Sequence, residues 1–125
     1  MIKAVIFDLD NTLLDFIKMK REAVVNALLS MKEAGLELDI DKSYDKVMSI
    51  YESEGWEHQL VFNKFLMDEI GYVDNKFLAA AIVAYRRGKE ANLKAYPNVH
   101  RTLNHLMKIG IRLAIVSDAP SREAW

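Results

Sequence analysis

The sequence predicts an α/β fold: a parallel sheet core with a bundle of helices inserted after its first strand. Three observations predict it. A short apolar run at the head of the chain, Ile2 to Phe7, delivers two carboxylates, Asp8 and Asp10. A second apolar run, Ile111 to Val116, ends in a polar tip of Ser117 and Asp118. Between them lie stretches with helical apolar spacing, punctuated by Gly35, Gly55, Gly71 and Pro97.

Taken in order, Ile2 to Phe7 is β-branched, aromatic and nearly all apolar. Its shortness and polar boundaries predict a strand buried on both faces, as in a parallel sheet. Phe16 to Ala34 reads as a helix, with Ile17, Val24, Leu28 and Met31 on one face and Gly35 as its stop. A second helix is expected from about Asp41, as its cap, to Glu54, with Tyr44, Val47 and Tyr51 as its stripe. A third is expected from Trp56 to Ile70, with Leu60 and Leu66 facing inward. A fourth opens near Asp74, carries Leu78, Ile82 and Tyr85, and ends before Pro97. Four amphipathic helices with short links can bury their faces on one another.

After Pro97, Val99, Leu103, Leu106 and Met107 make a further helical face that Gly110 closes. Helix, glycine and apolar strand form the second half of a βαβ crossover. The two strands should therefore be parallel neighbours, with their carboxyl ends at one edge of the sheet. Pro120, with Asp118 near the cap, opens what reads as the first turn of another helix. The chain stops at Trp125, so the core is expected to be incomplete. The organisation expected is core over 1–15, helical insertion over 16–95 and core again over 96–125.

Composition narrows the classes of function. Hydrophobic residues make up 51% and charged residues 28%, the profile of a folded soluble chain. A net charge of −1 gives no global attraction to nucleic acid or an anionic membrane, so neither is expected as a partner. No apolar run reaches the roughly 18 residues of a membrane span. There is no cysteine, which excludes disulfides and thiol chemistry and suits the cytoplasm.

Two carboxylates one residue apart, where a strand opens into a loop, suit a cation and acid/base or nucleophilic work. DLDNTLLD, followed much later by YPNV and GIRLAIVSDAP, resembles the haloacid dehalogenase-like (HAD) hydrolase superfamily. That family's first motif is an apolar strand followed by Asp-x-Asp-x-Thr or Val, and its second is an apolar strand ending in Ser or Thr. The resemblance covers essentially the whole chain. It implies a Rossmann-like core and, from the insertion between the motifs, the helical cap of subclass I members.

Residue by residue, the resemblance implies that Asp8 is the nucleophile and forms an aspartyl-phosphate. Asp10 protonates the leaving oxygen and later deprotonates water. Magnesium sits on the Asp8 carboxylate and the Asp10 backbone carbonyl. Ser117 hydrogen-bonds a phosphoryl oxygen, as do the Leu9 and Asp10 backbone amides. Thr12 shapes the loop, and Asp118 is a cap or a supporting residue. Independent chemistry agrees with this division of labour. A carboxylate attacks a phosphate dianion only when charge is screened and attack is aligned. Asp10 acts as an acid only if burial or its carboxylate neighbour raises its pKa.

The implied function is magnesium-dependent hydrolysis of a small phosphorylated metabolite. An acid at Asp10 favours phosphate esters over halides, because halide leaves without protonation. The family's lysine and second acidic pair have no counterpart before Trp125, so the chain by itself is expected to be inactive. A second reading stays open beside the enzyme: a truncated, non-catalytic relative that binds or interacts. A two-stranded sheet would also leave exposed edges through which copies could associate. Asp15 reads as structural, and Trp56, Phe62, Phe65 and Tyr85 read as bundle core. His58, His100 and His105 are scattered without metal-ligand spacing. Arg21, Arg86 and Arg87 read as solvated helix faces.

Overall fold

The computed structural model describes residues 1–118. Among them run two strands and five helices, in the order β1 (Ala4–Phe7), α1 (Phe16–Glu33), α2 (Ile40–Glu54), α3 (Val61–Ile70), α4 (Asn75–Asn92), α5 (Val99–Lys108) and β2 (Arg112–Ile115). The helix start expected at Pro120 lies outside the described residues. Among the described residues the chain forms two compact units, one of 1–18 with 93–118, the other of Met19–Asn92.

In the first unit β1 and β2 pair in parallel, with Ala4 opposite Arg112 and Phe7 opposite Ile115. The pairing continues past both ends of the strands: Arg112 N donates to Lys3 O at 3.0 Å, and Val116 N to Phe7 O at 2.9 Å. Helix α5 packs on β2 and is the crossover that a parallel pair needs. Asn98 precedes it in a left-handed conformation, φ 69°, and Gly110 follows at φ 84°. The strands are not buried on both faces as expected. Val5, Phe7 and Leu113 are half-buried, whereas Ala4, Ile6 and Ala114 are exposed. Among the described residues only one helix packs on this sheet. For the same reason Met107, expected to face inward, is 57% exposed.

The second unit carries the hydrophobic core. Val24, Ala27, Leu28 and Met31 of α1, Val47 and Tyr51 of α2, Phe62, Phe65 and Leu66 of α3 and Ala81 of α4 are buried together. Trp56 and Tyr85 pack against them, partly buried. Leu60 and Ile82, expected in the stripe, point to solvent.

Two helix starts differ from the sequence expectation. Asp39, not Asp41, caps α2: its side chain accepts from Lys42 N at 3.1 Å. Helix α3 begins at Val61 rather than Trp56. Gly55 turns the chain at φ 100°, and the Trp56 ring stacks on Tyr51 with centroids 6.0 Å apart. The Trp56 carbonyl accepts a 2.6 Å hydrogen bond from Lys20 Nζ. Trp56 is thus held against α2 and by α1, outside α3. Lys20 itself is only 3% exposed, and its ammonium lies 4.3 Å from the Tyr51 ring centroid. Burying that charge is tolerated because an acceptor and aromatic faces surround it.

Candidate active site

The register of the two strands builds the site. Asp8 leaves β1 one residue past the Phe7–Ile115 pair, and Ser117 leaves β2 two residues past it. Asp8, Asp10, Ser117 and Asp118 thus gather at the carboxyl edge of the sheet, although the first two lie more than a hundred residues from the others. Parallel sheets bind ligands outside that edge because the loops there start from fixed strand ends. Asp8 and Asp118 are exposed, and Leu9, Asp10 and Ser117 are half-buried.

The segment after β1 is a tight, hydrogen-bonded loop. Leu9 O accepts from Thr12 N at 3.4 Å, Leu13 N at 3.0 Å and Leu14 N at 3.2 Å. Asn11 makes the reversal in the left-handed region at φ 59°, a conformation Asn tolerates better than most residues. Thr12 Oγ1 donates a long hydrogen bond, 3.4 Å, to Asp8 Oδ2. Asp15 is a helix cap: its Oδ1 accepts from Lys18 N at 3.3 Å, in the first turn of α1.

The chain returning from α4 clamps this loop. Asp15 N donates to Lys94 O at 3.0 Å, and Tyr96 N to Leu13 O at 2.9 Å, so Lys94–Tyr96 runs antiparallel to Leu13–Asp15. The Tyr96 hydroxyl donates to Asn11 Oδ1 at 2.6 Å. Neither Asn11 nor Tyr96 stood out in the sequence as a site residue. Asn11 carried a weak signal, as an Asn where the chain must turn. Tyr96 carried none, because its contact spans 85 positions.

The oxygen donors here are hard. The Asp8 carboxylate and the Asp10 carbonyl suit magnesium, which takes one or two carboxylates and completes its shell with water and phosphate oxygens. Among the described residues no three His, Cys, Asp or Glu side chains gather as a metal cage.

Residues 2–125 match the family model of the haloacid dehalogenase-like hydrolases. The chain is 38% identical to a glyceraldehyde 3-phosphate phosphatase of Methanopyrus kandleri, over 100% of this chain and 54% of that protein. It is 30% identical to the protein of that name from Methanocaldococcus jannaschii, over 100% of this chain and 55% of the relative. Among solved structures it resembles a Thermotoga maritima protein assigned as a candidate beta-phosphoglucomutase. That match has a TM-score of 0.70 and 26% identity, and covers 98% of this chain and 53% of the other. The chain spans about half the length of the curated relatives it matches.

Proposed function

This chain belongs to the haloacid dehalogenase-like hydrolase family, and from that premise we propose that the full protein is a cytoplasmic, magnesium-dependent phosphatase acting on a small phosphorylated metabolite. Glyceraldehyde 3-phosphate, named for its relatives, is the first substrate to test. The observation that supports this reading most is the parallel register that brings Asp8, Asp10 and Ser117 to one sheet edge.

In this reading an Asp8 carboxylate oxygen attacks phosphorus as the ester P–O bond breaks. The leaving alkoxide takes a proton from Asp10. Asp10, now a carboxylate, removes a proton from water. That water attacks the aspartyl-phosphate, releases inorganic phosphate and restores Asp8. Ser117 and the Leu9 and Asp10 amides donate to the transferring oxygens, where charge builds. Asp8 and the Asp10 carbonyl hold magnesium, which when bound screens the repulsion between carboxylate and phosphate. Asp10 must carry its proton into the first step and be free to accept one in the second. The helical insertion expected over 16–95 is read here as a cap of the kind that subclass I members carry.

The test is hydrolysis of glyceraldehyde 3-phosphate and of an aryl phosphate by the full-length protein, with and without magnesium. Asp8→Asn keeps the shape and removes the nucleophile, so turnover should fall to background. An Asp8→Asn variant that still turned over would sink the assignment of the nucleophile. No hydrolysis by the wild-type protein would favour a non-catalytic, binding role.

A further inference from the structure

Asn11 sits between Asp10, the proposed acid and base, and Thr12, whose hydroxyl reaches Asp8. Its backbone is in the left-handed region, φ 59°, where the local energy surface offers L residues a small well and easy escape. The loop's own bonds to Leu9 O span this residue, and a further hold reaches it from outside the loop. Tyr96 supplies that outside hold. Its hydroxyl donates to Asn11 Oδ1 at 2.6 Å and its backbone N–H donates to Leu13 O at 2.9 Å. These two bonds grip the loop on either side of Thr12, whose own hydroxyl reaches Asp8 Oδ2.

Tyr96 is itself held. The Lys94 carbonyl binds Asp15 N, Val99 N donates to Tyr96 O at 3.3 Å, and Pro97 restricts the backbone of Tyr96 before it. Tyr96 is half-buried as a residue, and its hydroxyl meets the exposed Asn11 side chain at the surface.

We propose that Tyr96 is a positioning residue for the Asp8–Thr12 loop, acting through its hydrogen bond to the Asn11 side chain. The inference rests on the reading that Asp8 and Asp10 are the reacting carboxylates. The bond fixes the Asn11 side chain, hence the two peptide planes on either side of it. Those planes set where the Asp10 side chain and the Thr12 hydroxyl point. A phosphoryl transfer that depends on alignment is sensitive to such small rotations. Sequence spacing could not suggest this, because the tether joins the head of the chain to the segment that returns from the helical unit.

The experiment is a double-mutant cycle in the full-length protein, with Tyr96→Phe, Asn11→Gly and both together. Phenylalanine removes one oxygen and keeps the ring. Glycine adopts the left-handed conformation without a side chain to anchor. Tyr96→Phe in the wild-type background should lower kcat about tenfold and leave KM within about twofold. In the Asn11→Gly background the same change should have less than about a twofold effect. The backbone amide resonances of Asn11 and Thr12 should move in Tyr96→Phe, with the melting transition still cooperative. Equal losses of kcat in both backgrounds, an unchanged kcat or unmoved resonances would each overturn the proposal while leaving the phosphatase reading intact. A wild-type protein with no hydrolysis would instead overturn the phosphatase reading, and this role for Tyr96 with it.

Discussion

Replacing Gly88 by alanine sets two physical rules against each other. Gly88 is in the interior of α4, so helix propensity alone favours alanine by about 1 kcal/mol. Its backbone is not in the left-handed region, so conformational strain does not oppose the change. Contact does. A Cβ at Gly88 would lie 2.7 Å from Asn26 Nδ2, 2.9 Å from Ala23 Cα and 3.5 Å from Ala23 Cβ. The exposed Asn26 amide can swing away. The Ala23 backbone cannot, so α1 and α4 must move apart by several tenths of an ångström. That movement loosens Val24, Ala27 and Ala81, all fully buried. Overpacking of this kind costs about 1–3 kcal/mol. Against the propensity gain, a net loss of up to about 2 kcal/mol remains, about 1 kcal/mol at mid-range. For a unit of this size the mid-range loss lowers Tm by about 4–8 °C. Thermal melts followed by circular dichroism would compare wild type, Gly88→Ala and Ala91→Gly, the last an exposed position in α4 that reads propensity alone. A Gly88→Ala protein melting at or above wild type would refute the close approach of α1 and α4 at this point.

Two further perturbations probe the link between α2 and α3. Lys20→Met keeps the apolar stem but removes the ammonium that binds the Trp56 carbonyl and faces Tyr51. A loss of about 1–3 kcal/mol is expected, with faster amide exchange across Gly55–Leu60; unchanged exchange there would show that the link does not depend on Lys20. At the ends of the same link, Lys64 Nζ lies 2.7 Å from Glu54 Oε1. The hydrogen bond and charge of Lys64 hold the Glu54 carboxyl below its ordinary value of 4.5, and Glu54 in turn raises the Lys64 ammonium. A depressed carboxyl favours the folded state above its unfolded pKa, and that contribution disappears as pH falls through the folded value. Glu54→Gln should therefore melt slightly lower than wild type at neutral pH. The two should converge in acid, and also in high salt, since the pair is exposed. A gap that persists in acid would show that the charge pair is not its cause.

Much of the fold was legible because it is written in local patterns. The apolar runs ending in Asp8 and in Ser117 announced strands, and the helix–Gly110–strand order required a parallel crossover. Tyr44, Val47 and Tyr51 marked one face of α2 by spacing alone. The exceptions have definite causes. Trp56 to Leu60 has helical spacing yet stays out of α3; Trp56 is instead held by Tyr51 and by Lys20, far away in sequence. Asp39 and Asp41 are both acceptable caps by type, and the final turn of backbone chose Asp39. Ile82 and Met107 fit apolar stripes but face solvent, since the width of a buried stripe depends on how many neighbours pack on it.

The candidate site divides along the same line. The sequence alone determined which chemical groups stand together: two carboxylates one residue apart after a strand, and a serine after another. Strand periodicity and crossover handedness leave few ways to arrange them. Only the tertiary structure decided the register, Phe7 opposite Ile115, that sets how far each tip projects from the sheet. It alone showed that Tyr96 clasps Asn11 and that Lys94–Tyr96 closes over Leu13–Asp15. The physical reason is range. Propensity and spacing act over one or two turns of chain, whereas a hydrogen bond between a phenol and an amide 85 positions apart exists only once the chain has folded back on itself.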